Sequence, residues 1–406
     1  MSIALPSLAL ACLAFPLQAS TWIVDVNSGP GTNFTQISAA VAAAAPGDTL
    51  LVRPGQYANF VLDKPLAIVG QGTAPTNEAL CTGATIHDLP PNTTTCIANL
   101  YFNGFGFGGL QLASNAGALM LDDVQCVDLV QVTSSSDVRM RRCTASEALH
   151  STHSRLELGD SLVLGRLGWT CTCCYWPQTG GVGGTALTVS GGAVHLARTT
   201  LIGGAGGNAI CGDIGGCDTD GGNGGAAVAL SAGAELLVSG SSDFFLQGGS
   251  GGMSNCIGGG TGAAGPALVI GAGCAARISG ETISGAILNS GTLVQPSPDD
   301  PFLRALGSPT PGTPFTLRLS GPPGATAQVL LGRRPIVVPT PALDEEQLVP
   351  IHRVFNMGTI PASGTISLNF PVAPFWPSGF SVVFQGRVTL PDTTQLFTNS
   401  LPAIVQ

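Results

Sequence analysis

An all-β chain is predicted, with a parallel solenoid of stacked strands filling its first three quarters and a small β-sandwich closing it. Three observations lead there. Apolar strand-like runs return at a regular interval, helix signals are confined to one short segment, and composition shifts abruptly at a proline-rich linker. Anchored on Leu121, Met140, Leu158, Leu196, Leu237 and Ile278, the intervals are 19, 18, 38, 41 and 41 residues. The first two match one coil of a strand solenoid, and the last three match one coil plus an insertion. The inserted residues are glycine-rich, at 203–225 and 248–265, and are expected to leave one corner as loops rather than build further coils. Three segments also align with one another: ALTVS from Ala186, AVALS from Ala227 and ALVIG from Ala267. The six anchors should therefore stack in one buried column.

The elements follow in order. TQISAAVAAAA, 35–45, is alanine-rich, opens on a threonine able to cap it and stops at Pro46-Gly47, so it reads as a helix. After it come short apolar strands parted by Gly, Asn, Asp and Ser, among them 49–52, 66–69, 119–121, 138–140 and 156–158. Residues 296–301 form the linker within VQPSPDDP, 294–301. Beyond it, alternating runs near 315–319, 327–331, 365–370 and 380–385, with turns at GPPG and PASG, give the 302–406 sandwich.

Charged residues make up 10% of the chain, with 24 Asp+Glu against 15 Lys+Arg and a net charge of −9. An acidic chain with scattered arginines offers no electrostatic footprint for nucleic acid, which is excluded as a partner. Residues 1–20 are apolar and end in small residues, which reads as a secretory signal cleaved near Ala19 or Ser20; no Lys or Arg follows Met1, which leaves an uncleaved anchor as the alternative. No later window is long enough to span a bilayer, so the cleaved chain should have no membrane span and be secreted, periplasmic or surface-bound. Export makes disulfides the expected use of the cysteines, with Cys81–Cys96 and Cys211–Cys217 as local pairs. Cys171, Cys173 and Cys174 lack zinc-site spacing.

The stretches NFTQISAAV (33–41), APGDTLLVRPGQY (45–57) and KPLAIVGQG (64–72) resemble the opening coil of the pectin-lyase-like β-helix superfamily. Within it they are closest to pectinesterase-type and periplasmic β-helix repeat proteins. The resemblance covers roughly 22–295 and implies a right-handed parallel β-helix over 21–295, its open end plugged by the short helix. It carries little for activity. Where the pectinesterase pattern has an acidic residue two places after Tyr57, this chain has Asn59, and neither that family's catalytic segments nor those of polygalacturonases occur. The C-terminal region is similar to a module found in secreted planctomycete proteins, which implies export and little chemistry.

Strand alternation places the anchors inward and their neighbours outward. Asp122, then Arg139 and Arg141, then Glu157, then His195 would line one exposed strip, stacked at roughly 4.8 Å. Carboxylates beside arginines suit a uronate and Ca²⁺, and an arginine or histidine there could abstract a proton, as a polysaccharide lyase requires. The plainer reading is a ladder of opposite charges between coils. On either reading Arg141 is expected to be exposed and replaceable with little loss of stability. The corner series Asp123, Arg142, Asp160 and Arg198 alternates in sign and fits a ladder. Asp218, Asp220 and Asn223 could supply oxygens to Ca²⁺, or simply belong to a solvated turn. His150 and His153 read as surface residues. Two functions follow: a non-catalytic solenoid that binds polysaccharide or cell-surface glycan or builds the envelope, and, as the alternative, a uronate-polysaccharide lyase.

Overall fold

The computed structural model describes residues 20–72, 78–104, 109–170, 179–197, 199–210, 220–239, 245–256, 258–279, 282–294, 301–306, 309–332, 353–376 and 381–404. Among the described residues the chain is all-β apart from one helix, and long parallel sheets dominate it. Short strands recur in a fixed order of three and pair with the equivalent strand one repeat later. The first column runs from Thr21–Val24 through Thr94–Ala98, Ala118–Asp122 and Asp137–Arg141 to Thr292–Val294. The second runs from Phe60–Leu62 through Leu110–Ala113 and Val130–Thr133 to Ile287–Asn289. These two merge into one sheet of 18 strands, because Leu149–Gly159 and Leu187–Ala197 each pass through both. The third column, Gly55–Tyr57 to Thr282–Ser284, is a separate sheet of 9 strands.

Period-2 alternation builds the core: inward residues of all three columns share one hydrophobic cluster. In the first column Ile97, Leu121, Met140, Leu158, Leu196, Val238 and Ile278 stack in register, all buried. Leu237 is not among them, which corrects the repeat drawn from spacing. It pairs with His195 and Arg277 on the outer face instead. Three consecutive apolar residues, Leu236, Leu237 and Val238, left the phase ambiguous, and alternation buries the first and third.

The helix is shorter than expected, Ile37–Ala43, with Gln36 rather than Thr35 at its N-cap and no side-chain cap. It buries Ile37, Ala40 and Val41 over the first coil. Two buried carboxylates fasten this end. Asp25 accepts from the Asn27 and Gly29 N–H groups and pairs with Arg53 at 3.0 Å. Asp48 accepts from the Ser20 and Ala45 N–H groups and the Trp22 indole. These bonds hold both carboxyls below the usual carboxylate range, chiefly through Arg53 for Asp25 and Trp22 for Asp48.

The expected Cys81–Cys96 bridge does not exist; both are free thiols. Cys81 points into the core of the third column, whereas Cys96 lies on the outer face of the first, so alternation directs the two sulfurs apart. Along the third column the inward series is Tyr57, Cys81, Phe102, Cys126, Ala145, Val163, Leu201 and Leu246. Here cysteine serves as a small hydrophobe. Burial pushes the thiols of Cys81 and Cys143 up to about 12 and that of Cys126 to about 11. A pulse of iodoacetamide on the folded protein should leave these three unlabelled by mass spectrometry, with Cys96 reacting ahead of them. Cys256 is disulfide-bonded. Cys211 and Cys217 lie outside the described residues.

The described parts of the glycine-rich segments hydrogen-bond to one another. Each follows a third-column strand and precedes a second-column strand, so all enter and leave at one corner. Six runs (165–169, 180–184, 203–209, 221–225, 248–253 and 262–265) lie side by side among the described residues, outgoing and returning in alternation. Their backbones donate with a period of three. Gly203, Gly206 and Ala209 donate to the Gln247, Ser250 and Met253 carbonyls, while Gly204 and Gly207 donate to those of Gly184 and Gly181. Gly222 and Gly225 in turn donate to Gly207 and Gly204, and Gly252 and Gly249 to Gly222 and Gly225. Three residues per turn with no hydrogen bond inside a run is the pattern of an extended polyproline-II-type helix. Glycine is required by proximity: a Cβ on Gly207 would fall inside contact of the Trp169 carbonyl oxygen, and one on Gly222 inside that of Gly181. Every third residue, such as Val182, Asn223 and Ser250, faces solvent.

After residue 301 the strands are antiparallel. Phe302–Leu306, Pro314–Ser320 and Thr365–Pro371 form one sheet; Arg353–Thr359, Thr326–Gly332, Ser381–Thr389 and Gln395–Ile404 form another. Their facing residues share a second cluster, in which Phe370 contacts Phe315, Phe355 and Phe384.

Candidate functional site

The first column displays the charged strip on its outer face. With Leu121, Met140, Leu158 and Leu196 inward, Arg139, Glu157 and His195 stand in one outward row across three successive repeats. Asp122 and Arg141 form the adjacent row two residues along their strands. All five residues expected from sequence thus lie on one face, yet they divide into two groups.

In the first group Arg139 grips Asp137 with two hydrogen bonds, at 2.9 and 3.1 Å, and lies 3.9 Å from Glu157. Burial raises the Glu157 carboxyl above its usual range, against the opposing pull of Arg139. His195, 8% exposed, is driven the other way: burial, aided by the charge of Arg155, lowers it to about 4. At neutral pH its imidazole is therefore uncharged. Arg155, two residues before Glu157 on the same strand, is a further neighbour, and burial lowers it as well.

In the second group Asp122 is the acceptor. Arg142 donates to both its oxygens, at 3.1 and 2.9 Å, and Arg141 stands 3.8 Å away. Arg141 is only 7% exposed, which corrects the expectation of an exposed, dispensable side chain. It keeps its outward place beside Asp122 and is covered there. Arg142 gains its reach at that corner. Asn99, Asp123, Arg142 and Asp160 occupy equivalent corners in left-handed conformations, with φ of 53, 56, 50 and 49°. The Asn99, Asp123 and Arg142 N–H groups donate across to the Asp122, Arg141 and Gly159 carbonyls. Asn99 also caps the repeat before it through the Gly70 and Gly72 carbonyls. Arg198 lies outside the described residues.

These corners frame an open cavity of about 400 Å³ lined by Asn99, Asp122, Asp123, Gln125 and Arg142, floored near Gly72 and Ala98. Gln125 and Asn99 carry no motif and were not foreseen. What could have pointed to them is position: Asn99 holds the corner one repeat before Asp123, and Gln125 opens the third-column strand just after it. The cavity presents amides, carboxylates and a guanidinium without an aromatic wall, a set suited to hydrogen-bonding hydroxyl groups.

Two of the residues considered for Ca²⁺ are described, and each accepts a backbone hydrogen bond. Asp220 Oδ1 accepts from the Gly260 N–H at 2.6 Å and Asn223 Oδ1 from the Ala263 N–H at 2.8 Å, so both tie neighbouring glycine runs together. Asp218 lies outside the described residues. No group of three or more His, Cys, Asp or Glu stands where it could hold a metal among the described residues. Among them, too, no helix is long and apolar enough to cross a membrane.

A comparison of the chain with protein-family models finds no match, and a comparison with curated proteins finds none either.

Proposed function

We propose that residues 21–295 are a right-handed parallel β-helix of the pectin-lyase-like kind, exported from the cell, that binds glycans without cleaving them. The three recurring parallel columns and the plugged first coil support the fold. One observation carries the preference for binding over lyase chemistry. The guanidiniums of Arg139 and Arg142 are each held by two bonds to a carboxylate, and His195 is buried and neutral. A lyase needs a cation to take the uronate carboxylate and a base within reach of the sugar carbon. The cavity beside Gln125 instead offers hydrogen-bonding groups at an open surface. With two aspartates in its wall and a chain charge of −9, it favours neutral, hydroxyl-rich sugars over polyuronates.

Incubation with neutral and uronic polysaccharides, with and without Ca²⁺, tests this directly. Retention on neutral glycans without unsaturated product is expected, and Gln125→Ala should weaken it by about tenfold, the worth of one or two hydrogen bonds. Appearance of unsaturated uronate ends would establish the lyase alternative. Failure to bind any glycan would end the reading.

A further inference from the structure

The sequence leaves two bonds open for removal of the leader, Ala19–Ser20 and Ser20–Thr21. Ser20 is the first described residue, and its backbone is engaged on both sides. Its nitrogen donates to Asp48 Oδ1 at 2.7 Å, and its carbonyl accepts from the Thr49 N–H at 2.8 Å. Asp48 is 4% exposed and sits in the turn that ends the helix. Its other oxygen takes the Trp22 indole and the Ala45 N–H, both at 2.9 Å. Every one of these donors is neutral, so a buried carboxylate faces Ser20 without a cation. Lys64, the nearby base, is turned to the Ala42 and Ala44 carbonyls.

We infer that the chain is cut between Ala19 and Ser20 and that the new α-ammonium of Ser20 is the cation Asp48 receives. This rests on the export part of the reading above. The step is a hydrolysis by an export-linked peptidase. Water adds across the Ala19–Ser20 amide, its hydroxyl going to the Ala19 carbonyl carbon and a hydrogen to the Ser20 nitrogen. That amine then takes one proton from solvent. The Ser20 nitrogen is already at hydrogen-bond distance from Asp48, so the cut converts a neutral contact into a charge-assisted one without moving the chain. Ser20 is exposed, which leaves the remaining ammonium hydrogens in water. A cut after Ser20 would discard both of its hydrogen bonds and leave Asp48 Oδ1 without that donor. The product also places a charge at the head of Thr21–Val24, the first strand of its column.

The test begins with the full chain expressed in a secreting bacterium and the exported protein weighed intact. A mass starting at Ser20 is expected. A mature chain starting elsewhere overturns the assignment alone, and a chain retained whole in the cytoplasm overturns it together with the export reading. The second measurement compares denaturation of forms beginning at Ser20 and at Pro16, each with and without Asp48→Asn. Four added residues carry the ammonium up to roughly 13 Å away, beyond the screening distance. The Ser20 form should have a folded-to-unfolded ratio about fivefold higher, and Asp48→Asn should abolish that difference. An equal difference in both backgrounds would show that Asp48 does not receive the ammonium.

Discussion

Gly207→Ala is expected to cost about 3 kcal/mol or more and to loosen the glycine runs from the coils that carry them. The methyl group would enter the space of the Trp169 carbonyl oxygen, which is backbone and cannot rotate aside. Relief requires moving run 165–169 or run 203–209. Moving the second breaks the Gly207 to Gly181 and Gly222 to Gly207 hydrogen bonds, at 2.7 and 2.8 Å; moving the first breaks that from Gly181 to Trp169, at 2.9 Å. Because Gly252 donates onward to Gly222, the damage spreads across the layers. Ala205→Ser, two residues away at an outward position, should stay within about 0.5 kcal/mol of the parent. Urea denaturation followed by amide exchange at Gly204, Gly222 and Gly249 reads both. Equal stability of the two variants would mean that the runs are not packed through their backbones.

Stability should fall as pH drops from 6.5 toward 4, and His195 should account for roughly 3 kcal/mol of the loss. The folded protein holds this imidazole neutral down to about 4, whereas in the unfolded chain it takes a proton near 6.5. Between those values the unfolded state binds more protons, so acid favours unfolding. Below about 4 both states are protonated there and the loss levels off. Glu157, its partner in register, works in the opposite sense. Burial raises its pKa, so the folded state takes a proton more readily than the unfolded chain and gains stability as pH falls through that raised value. Asp25 and Asp48, held low, add their loss at more acidic pH in every variant. Denaturation midpoints of the parent and His195→Gln, both in a Glu157→Gln background, isolate the histidine. The His195→Gln protein should show the shallower slope. Identical slopes would mean that His195 titrates as a solvated residue.

The stacked strands could be read from spacing because alternation and a constant repeat length leave their mark on every coil. Leu121, Met140, Leu158 and Leu196 stand where that rule puts them. It failed at Leu237, where an unbroken apolar run hides the phase. The cysteines misled for a different reason: residue type shows that a thiol can pair but not which way it points, and Cys81, Cys126 and Cys143 point inward. For the strip, alternation placed Arg139, Glu157 and His195 in one row correctly. It could not reveal that His195 is covered, since covering depends on segments remote in sequence. Nor could it show that Arg142, at a left-handed corner, would reach back to Asp122. The glycine runs read as loops because a helix without internal hydrogen bonds has no signature except its period of three.

That period restricts how these segments can change in length. Adding or removing one residue in 203–209 would rotate every later N–H by a third of a turn, away from its acceptor and toward solvent. Three residues restore the phase but lengthen one run by roughly 9 Å, which its parallel neighbours must match or leave unpaired. Natural variants should therefore differ here by triplets, introduced together in adjacent runs. An unbalanced single-residue deletion would act on this protein much as a slipped tooth acts on a rack, throwing off everything downstream of it.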